Sequence, residues 1–130
     1  MTPDDRRYST EHEWARVEGG EVVVGITDFA QAQLGDVVYV ELPQAGDQVK
    51  QMKAMGVIES VKAASDLYSP VTGEVVAVND AAVDEPQAIN DSPYDRGWLI
   101  RVRPENLDEL TSLLSAQDYD LHVSDRGDEE

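Results

Sequence analysis

Apolar and polar positions change rhythm several times along the chain, and each change marks an expected structural boundary. Tyr8 to Val17, and again Glu21-Val22-Val23-Val24-Gly25-Ile26, read as strands, with Gly19-Gly20 between them. Two β-rich runs around Gly-Gly predict a hairpin, because glycine enters a positive-φ turn without steric cost. Asp28 with Gln31 three positions on is a capping-box pair, Phe29, Ala30 and Leu34 form an apolar side, and Gly35 is placed to stop the run. That predicts a helix of at most two turns. Asp36 to Leu42 is mostly apolar and predicts a largely buried strand. Glu74 to Asn79 predicts another strand, followed by a turn at Asn79-Asp80. Residues 81 to 97 contain Pro86, Pro93 and Gly97 and predict a loop, with one helical turn near Gln87 to Asn90. In Gly97 to Arg103, alternation sets Trp98, Ile100 and Val102 on one face and Arg101 and Arg103 on the other. After Pro104 the period lengthens from about 2 to about 3.6 residues. Asn106 with Glu109 forms a second capping box, and Leu107, Leu110, Leu113 and Leu114 form an apolar stripe. A second short helix is expected over Ser115 to Leu121, and a polar, frayed tail from Asp125 to Glu130.

One pattern recurs. Pro43-Gln44-Ala45-Gly46-Asp47-Gln48-Val49 and Pro70-Val71-Thr72-Gly73-Glu74-Val75-Val76 share Pro-x-x-Gly-acid-x-Val at an offset of 27 residues. Pro-x-x-Gly is a turn signature, and a repeated one predicts two related halves about a pseudo-twofold axis. Between the two turns lies Glu59-Ser60-Val61-Lys62-Ala63-Ala64-Ser65-Asp66, so Lys62 is expected near a hairpin tip. The chain has only three lysines, Lys50, Lys53 and Lys62. A covalent carrier needs a primary amine that is reachable, rigidly held and free to swing, and a hairpin tip meets all three needs. Ala63, Ala64 and Ser65 leave the approach open, while Glu59 and Asp66 offer fixed charges for a modifying enzyme to read. The spacing alone is also compatible with a solvated lysine in an acidic hairpin.

Composition narrows the function classes. The chain has 130 residues, enough for one modest domain, and 41% of them are apolar, which is globular rather than disordered. No stretch approaches the roughly 20 apolar residues of a membrane span. The segment Met1 to Arg7 has neither the apolar core of a secretory signal nor the composition of a transit peptide, so a cytoplasmic protein is expected. Without cysteine, disulfides and thiolate chemistry are excluded, and any sulfur redox chemistry must come from a cofactor. The formal net charge of −17 opposes binding to nucleic acid or to an anionic membrane. With seven Arg against three Lys, it suggests a halophilic protein from a salt-loaded cytoplasm that loses cooperative structure when salt is removed. His12 and Glu13 suggest an acid–base or metal pair at first sight, but His122 is the only other histidine and no metal site is expected. Arg126-Gly127-Asp128 and Asn90-Asp91-Ser92 match an adhesion tripeptide and a glycosylation sequon, both of which need an extracellular setting. No phosphate-binding glycine loop and no nucleophile elbow is present.

Glu59 to Asp66 resembles the lipoate-attachment segment of the H proteins of the glycine cleavage system. Similar matches occur in His12-Glu13-Trp14, Val24 to Thr27, Leu34-Gly35-Asp36, Val40 to Pro43, Ser69-Pro70, Gly73-Glu74-Val75, Val78-Asn79, Ser92-Pro93-Tyr94, Gly97-Trp98 and Leu110 to Leu114. They run in the family's order over residues 8 to 121. The resemblance implies a mainly β barrel-sandwich hybrid of two small antiparallel sheets, with short flanking helices and a C-terminal helical segment. It implies one lipoyl-carrier domain over 1–130, with a core at 8–121 and an acidic tail at 122–130.

By the same resemblance the protein is a non-catalytic shuttle with lipoate in amide linkage to Lys62, an arm reaching about 12–15 Å by standard bond lengths. It is expected to take an aminomethyl group from a pyridoxal-phosphate glycine decarboxylase to a tetrahydrofolate-dependent aminomethyltransferase. A dihydrolipoyl dehydrogenase reoxidises it, and a lipoate ligase or octanoyltransferase loads it. A monomer is expected. The loaded arm is expected to fold into a cleft near Glu13 and Asp66, with Glu11 replacing the small polar residue of many relatives. A carboxylate there suits an N,S-acetal cargo, because an ammonium has no nitrogen lone pair to expel the thiolate. An H-like relay of octanoyl or lipoyl groups is the alternative role. Met52-Lys53-Ala54-Met55 loosely resembles a biotin-carrier motif, but its second Met is displaced and Lys53 is off-centre between the turns. Lipoyl domains of 2-oxo-acid dehydrogenases are shorter and usually have Asp before the lysine, where this chain has Val61.

Overall fold

A computed structural model describes residues 2–127. In chain order the elements are β1 (Arg7–Tyr8), β2 (Glu13–Glu18), β3 (Glu21–Ile26), α1 (Asp28–Leu34), β4 (Val37–Glu41), β5 (Gln48–Val49), β6 (Ala54–Ser60), β7 (Ala64–Tyr68) and β8 (Gly73–Val78). They continue through α2 (Asp80–Asp84), α3 (Gln87–Asp91), β9 (Ile100–Pro104), a 3₁₀ helix over Leu107–Ser112 and α4 (Ala116–Gly127). The strands form a six-stranded sheet, β1-β2-β3-β9-β8-β5, and a three-stranded sheet, β4-β6-β7. All pairings within the sheets are antiparallel. This is the expected barrel-sandwich hybrid, with sheets of unequal size. No helix among the described residues is long and apolar enough to cross a membrane.

The two copies of the repeat lie side by side. Gln48 pairs with Glu74 and Val49 with Gly73, while Gly46 N–H donates to Val75 O and Val75 N–H to Asp47 O, each at 2.8 Å. Their pairing closes the base of the segment that contains β6 and β7. It thereby fixes where the tip of that hairpin can stand.

Val22, Val23 and Val24 are all buried because β3 is covered on both faces. Val22, Val24 and Ile26 pack with Ile58, Leu67, Val75, Leu99, Ile100 and Val102 between the sheets. Val23 packs on the other side with Tyr8, Trp14 and Tyr119. The Trp14 ring lies flat against Gly25, its cross-strand partner, so that a Cβ on Gly25 would come within 2.5 Å of ring atom Cζ2. Only glycine leaves room for the indole, whose N–H donates to Ile26 O and Pro93 O, both at 3.0 Å.

Several sequence expectations give way to tertiary context. The strand expected from Tyr8 is interrupted, since His12 has φ of 75° and β2 begins only at Glu13. There the Ser9 hydroxyl accepts from the amides of Glu11 and Glu13 at 3.2 and 3.1 Å, in place of strand partners. Thr27, not Asp28, caps α1 by accepting from Ala30 N–H at 3.2 Å, and Asp28 instead accepts from the Gln31 side chain. β4 is not largely buried. It is an edge strand with an irregularity between Val37 and Tyr39, and Val38 and Tyr39 are exposed. The helical turn expected near Gln87 to Asn90 is present as α3, but the turn expected at Asn79-Asp80 opens a further helix, α2, which Asn79 caps through Ala81 N–H.

Farther along, Leu99 rather than Trp98 joins the inter-sheet core, and Trp98 packs in the Trp14 cluster. The stripe after Pro104 forms a 3₁₀ helix in which Leu107 is exposed. Glu109 does not close a capping box there, because its carboxylate accepts from the amide and hydroxyl of Thr72, each at 2.7 Å. α4 runs on to Gly127, past the end expected for the last helix. Residues 128 to 130, and with them Asp128 of the adhesion-like tripeptide, lie outside the described residues.

Candidate functional site

Lys62 stands at the tip of the β6–β7 hairpin, exposed together with Val61 and Ala63. Two-residue hairpin loops usually need positive φ. Val61 and Lys62 have no such angle, and a hydroxyl does the closing instead. Ser60 N–H donates to Ala63 O at 2.7 Å, and Ser60 Oγ accepts from the amides of Lys62 and Ala63 at 3.3 and 3.1 Å. Val61 N–H reaches across to Asp36 O at 3.1 Å, just beyond α1. The aliphatic stem of Lys62 lies over Gly35 at the end of that helix. Glu59 is half-buried opposite Ala64, and exposed Asp66 is opposite Val57, so the register sets both carboxylates on one face of the hairpin. Lys53 precedes β6, at the far end of the strand from Lys62.

A cleft of about 540 Å³ opens between the two sheets and α1. Glu11, Glu13 and Asp66 line it, together with His12, Ser65 and one face of α1 carrying Phe29, Ala30, Gln33 and Leu34. The structure thus brings Glu11, Glu13 and Asp66 together. Lys62 and Glu59 are not part of the cleft wall.

Glu13 is buried, with 1% of its surface exposed. Its Oε1 accepts from Ser9 Oγ–H at 2.6 Å and its Oε2 from Tyr68 N–H at 3.1 Å. Because Glu13 is on β2 and Tyr68 ends β7, this carboxylate bridges the two sheets. Burial pushes its pKa up from 4.5 to about 7, the two donors oppose that shift, and the negative charge of Glu11 adds to it. Beside it, the Tyr119 hydroxyl is 2.7 Å from Thr27 Oγ1 and 2.8 Å from His12 Nδ1. That contact ties α4 to the cap of α1, and burial raises the Tyr119 phenol pKa. Among the described residues no cluster of His, Cys, Asp and Glu could hold a metal ion.

The family model for the glycine cleavage H-protein matches residues 6–126. The chain belongs to the glycine cleavage H-protein family. It is 49% identical over 128 residues to the glycine cleavage system H protein of Carboxydothermus hydrogenoformans, covering 98% of each chain. To the H protein of Saccharophagus degradans it is 59% identical over 114 residues, covering 87% of this chain and 88% of the other. The crystal structure of a glycine cleavage system H protein from Mycobacterium marinum superposes with a TM-score of 0.87 at 41% identity, covering 94% of this chain and 98% of that one. H proteins are lipoyl-bearing shuttles of the glycine cleavage system, working with its P, T and L proteins, and membership makes this chain a carrier component rather than a catalyst.

Sequence reasoning missed several residues that hold the cleft and the hairpin tip in shape. Ser9 and the Tyr68 amide fix Glu13, Phe29 and Gln33 wall the cleft, and Gly35 underlies Lys62. Gly35 left a readable signal as a helix stop and Phe29 as part of an apolar helix side, neither of which pointed to a cleft. Hydrogen-bond partners 55 positions apart, such as Tyr68 and Glu13, leave none.

Proposed function

We propose that Lys62 of this chain carries lipoate in amide linkage and that the cleft of Glu13, Asp66 and Glu11 receives the loaded arm. The observation that supports this most directly is the position of α1. Its C-terminal glycine lies beneath the Lys62 stem, so close that a Cβ there would meet Lys62 Cε at 3.3 Å. Its Phe29, Ala30, Gln33 and Leu34 face lines the cleft, so the anchor and the carboxylates adjoin one element. The group fits: the amine is on an open tip, and the cleft offers apolar walls together with three carboxylates. The lipoyl dithiolane supplies the sulfur to which an aminomethyl group is bound.

The protein's own residues supply rigidity, charge and exclusion of water. Ser60 fixes the tip, so the amine is presented in one direction. Glu13, held by Ser9 and Tyr68, is an immobile charge that retains unused lone pairs, and a cationic cargo beside it favours its ionised form. Exposed Glu11 and Asp66 add adjustable carboxylates. An ammonium held by these groups keeps its proton, and Phe29, Leu34 and Ile58 keep water from the cargo. Glu59 and Asp66, on one hairpin face, are the charges read by a lipoate ligase or octanoyltransferase. The remaining parts of the reading are a monomer working in a salt-loaded cytoplasm, with glycine decarboxylase, aminomethyltransferase and dihydrolipoyl dehydrogenase as its successive partners.

Intact mass after incubation with lipoate ligase, ATP and lipoic acid tests the attachment. One lipoyl group is expected on the wild type and none on Lys62→Arg. Acylation of the variant, or of a peptide lacking Lys62, would overturn it. Lipoylated protein that supports no glycine–bicarbonate exchange with the decarboxylase would remove the shuttle role.

A further inference from the structure

We infer that Gly35 and Asn90 are positioning residues for acylation of Lys62, forming a cradle that sets the direction of its amine. The inference rests on Lys62 being the acylated residue. Gly35 has φ of 81° and ψ of −157°, a conformation essentially restricted to glycine. The site of its missing Cβ lies 3.3 Å from Lys62 Cε, 3.9 Å from Cδ and 4.0 Å from Nζ. A side chain there would displace the lysine stem by a few tenths of an ångström at the carbon that bears the amine, and so change the direction in which the amine is presented. The next residue, Asp36, gives its carbonyl to Val61 N–H at 3.1 Å.

Asn90, from α3, locks this short segment from behind. Its Nδ2 donates to Gly35 O at 2.8 Å and to Gln31 Oε1 at 2.9 Å, while its Oδ1 accepts from Val37 N–H at 2.8 Å. The bonds to Gly35 and Val37 pin the backbone on both sides of Asp36, the residue that holds the hairpin tip. A continuous path of contacts therefore runs from α3 through residues 35 to 37 to Val61 and the Lys62 stem. Val61 itself is 72% exposed, so little side-chain packing can take the place of that bond. Amide formation requires the lysine nitrogen to meet an activated acyl carbonyl in a narrow range of directions, so a wandering tip lowers the rate of the chemical step. The glycosylation-like Asn90-Asp91-Ser92 is accounted for in the same way, since the Asn90 amide is occupied on both sides.

Steady-state acylation with lipoate ligase, ATP and octanoic acid, followed by intact mass, tests the cradle on wild type, Gly35→Ala, Asn90→Ala and Gly20→Ala. Gly20 is the control. It has φ of 82° and open space where a Cβ would go, so its alanine variant also has a side chain at positive φ but without touching Lys62. Gly35→Ala and Asn90→Ala are expected to lose about tenfold in kcat, as a small misplacement of reacting groups does, and Gly20→Ala to acylate like wild type. Hydrogen exchange at the Val61 amide is expected to speed up in Asn90→Ala, although Asn90 does not touch that amide. Unchanged kcat in folded Asn90→Ala and Gly35→Ala would overturn the cradle and leave Lys62 as the acylation site. Should Gly35→Ala not fold, Asn90→Ala decides alone. Wild type that is never acylated at Lys62 would remove both.

Discussion

Replacing Glu13 by glutamine takes away a buried carboxyl whose protonation is balanced near neutral pH. In the unfolded chain its pKa is 4.5, and in the folded chain burial raises it to about 7. Between those values the folded protein keeps a proton that the unfolded chain has released, so stability falls as pH rises. The Glu13 contribution is complete below about pH 4.5 and is lost as pH passes through about 7, a difference of about 3 kcal/mol at about 1.4 kcal/mol per tenfold change in proton affinity. Glutamine preserves the shape. Its oxygen can accept from Tyr68 N–H while its nitrogen donates to Ser9 Oγ, the two partners of the native carboxylate. Urea unfolding of both proteins at fixed high salt, from about pH 4.5 to about pH 8, isolates the effect, because the other acidic residues cancel in the difference. The stability of Glu13→Gln minus that of wild type is expected to increase by about 3 kcal/mol across that range. A difference that stays constant, or decreases, would refute the argument that burial dominates this carboxyl. Glu11→Gln gives a further check, since removing that neighbouring charge should move the Glu13 transition to lower pH.

Three other outcomes follow from the packing and the charge. Gly25→Ala forces a methyl group into the Trp14 indole, and urea unfolding should show a loss of about 1–3 kcal/mol or more, with red-shifted Trp emission. Arg6 lies 4.6 Å from the Trp14 ring centre and 5.4 Å from that of Tyr94, with a side chain only 7% exposed. Arg6→Ala should therefore cost about 1–2 kcal/mol, and Arg6→Lys should restore only part, because an ammonium lacks the flat stacking surface. With a net charge of −17, the melting temperature should rise between about 0.1 M and about 1 M KCl, and an unchanged midpoint would count against a salt-adapted protein.

Local chemistry explains which parts of this molecule were readable from its sequence. The Gly19-Gly20 hairpin, the α1 stop at Gly35 and the first Pro-x-x-Gly turn, at Gly46, are each encoded within a few residues by positive-φ backbone that glycine enters freely. Gly73 has no positive φ and instead opens β8 where the Arg103 carbonyl leaves no room for a Cβ. That the two copies of the repeat hydrogen-bond to one another was decided by the fold. The resemblance of Glu59 to Asp66 singled out Lys62 for the same reason: that segment is continuous in sequence. Where partners come from distant positions, local preference was outvoted. Glu109 and Asn106 had the spacing of a capping box, yet Thr72 offered the carboxylate two donors. β4 had the composition of a buried strand, but its place at a sheet edge exposed Val38 and Tyr39.

From the sequence alone came the family resemblance, the β-rich plan, the acidic surface and the lysine at a hairpin tip, because these reside in composition or in short contiguous strings. Only the folded chain could decide that Glu13 is a buried carboxyl held by Ser9 and Tyr68, or that Gly35 and Asn90 stand behind Lys62. Desolvation and hydrogen bonding depend on what surrounds a group in three dimensions, and no spacing along a single chain specifies that.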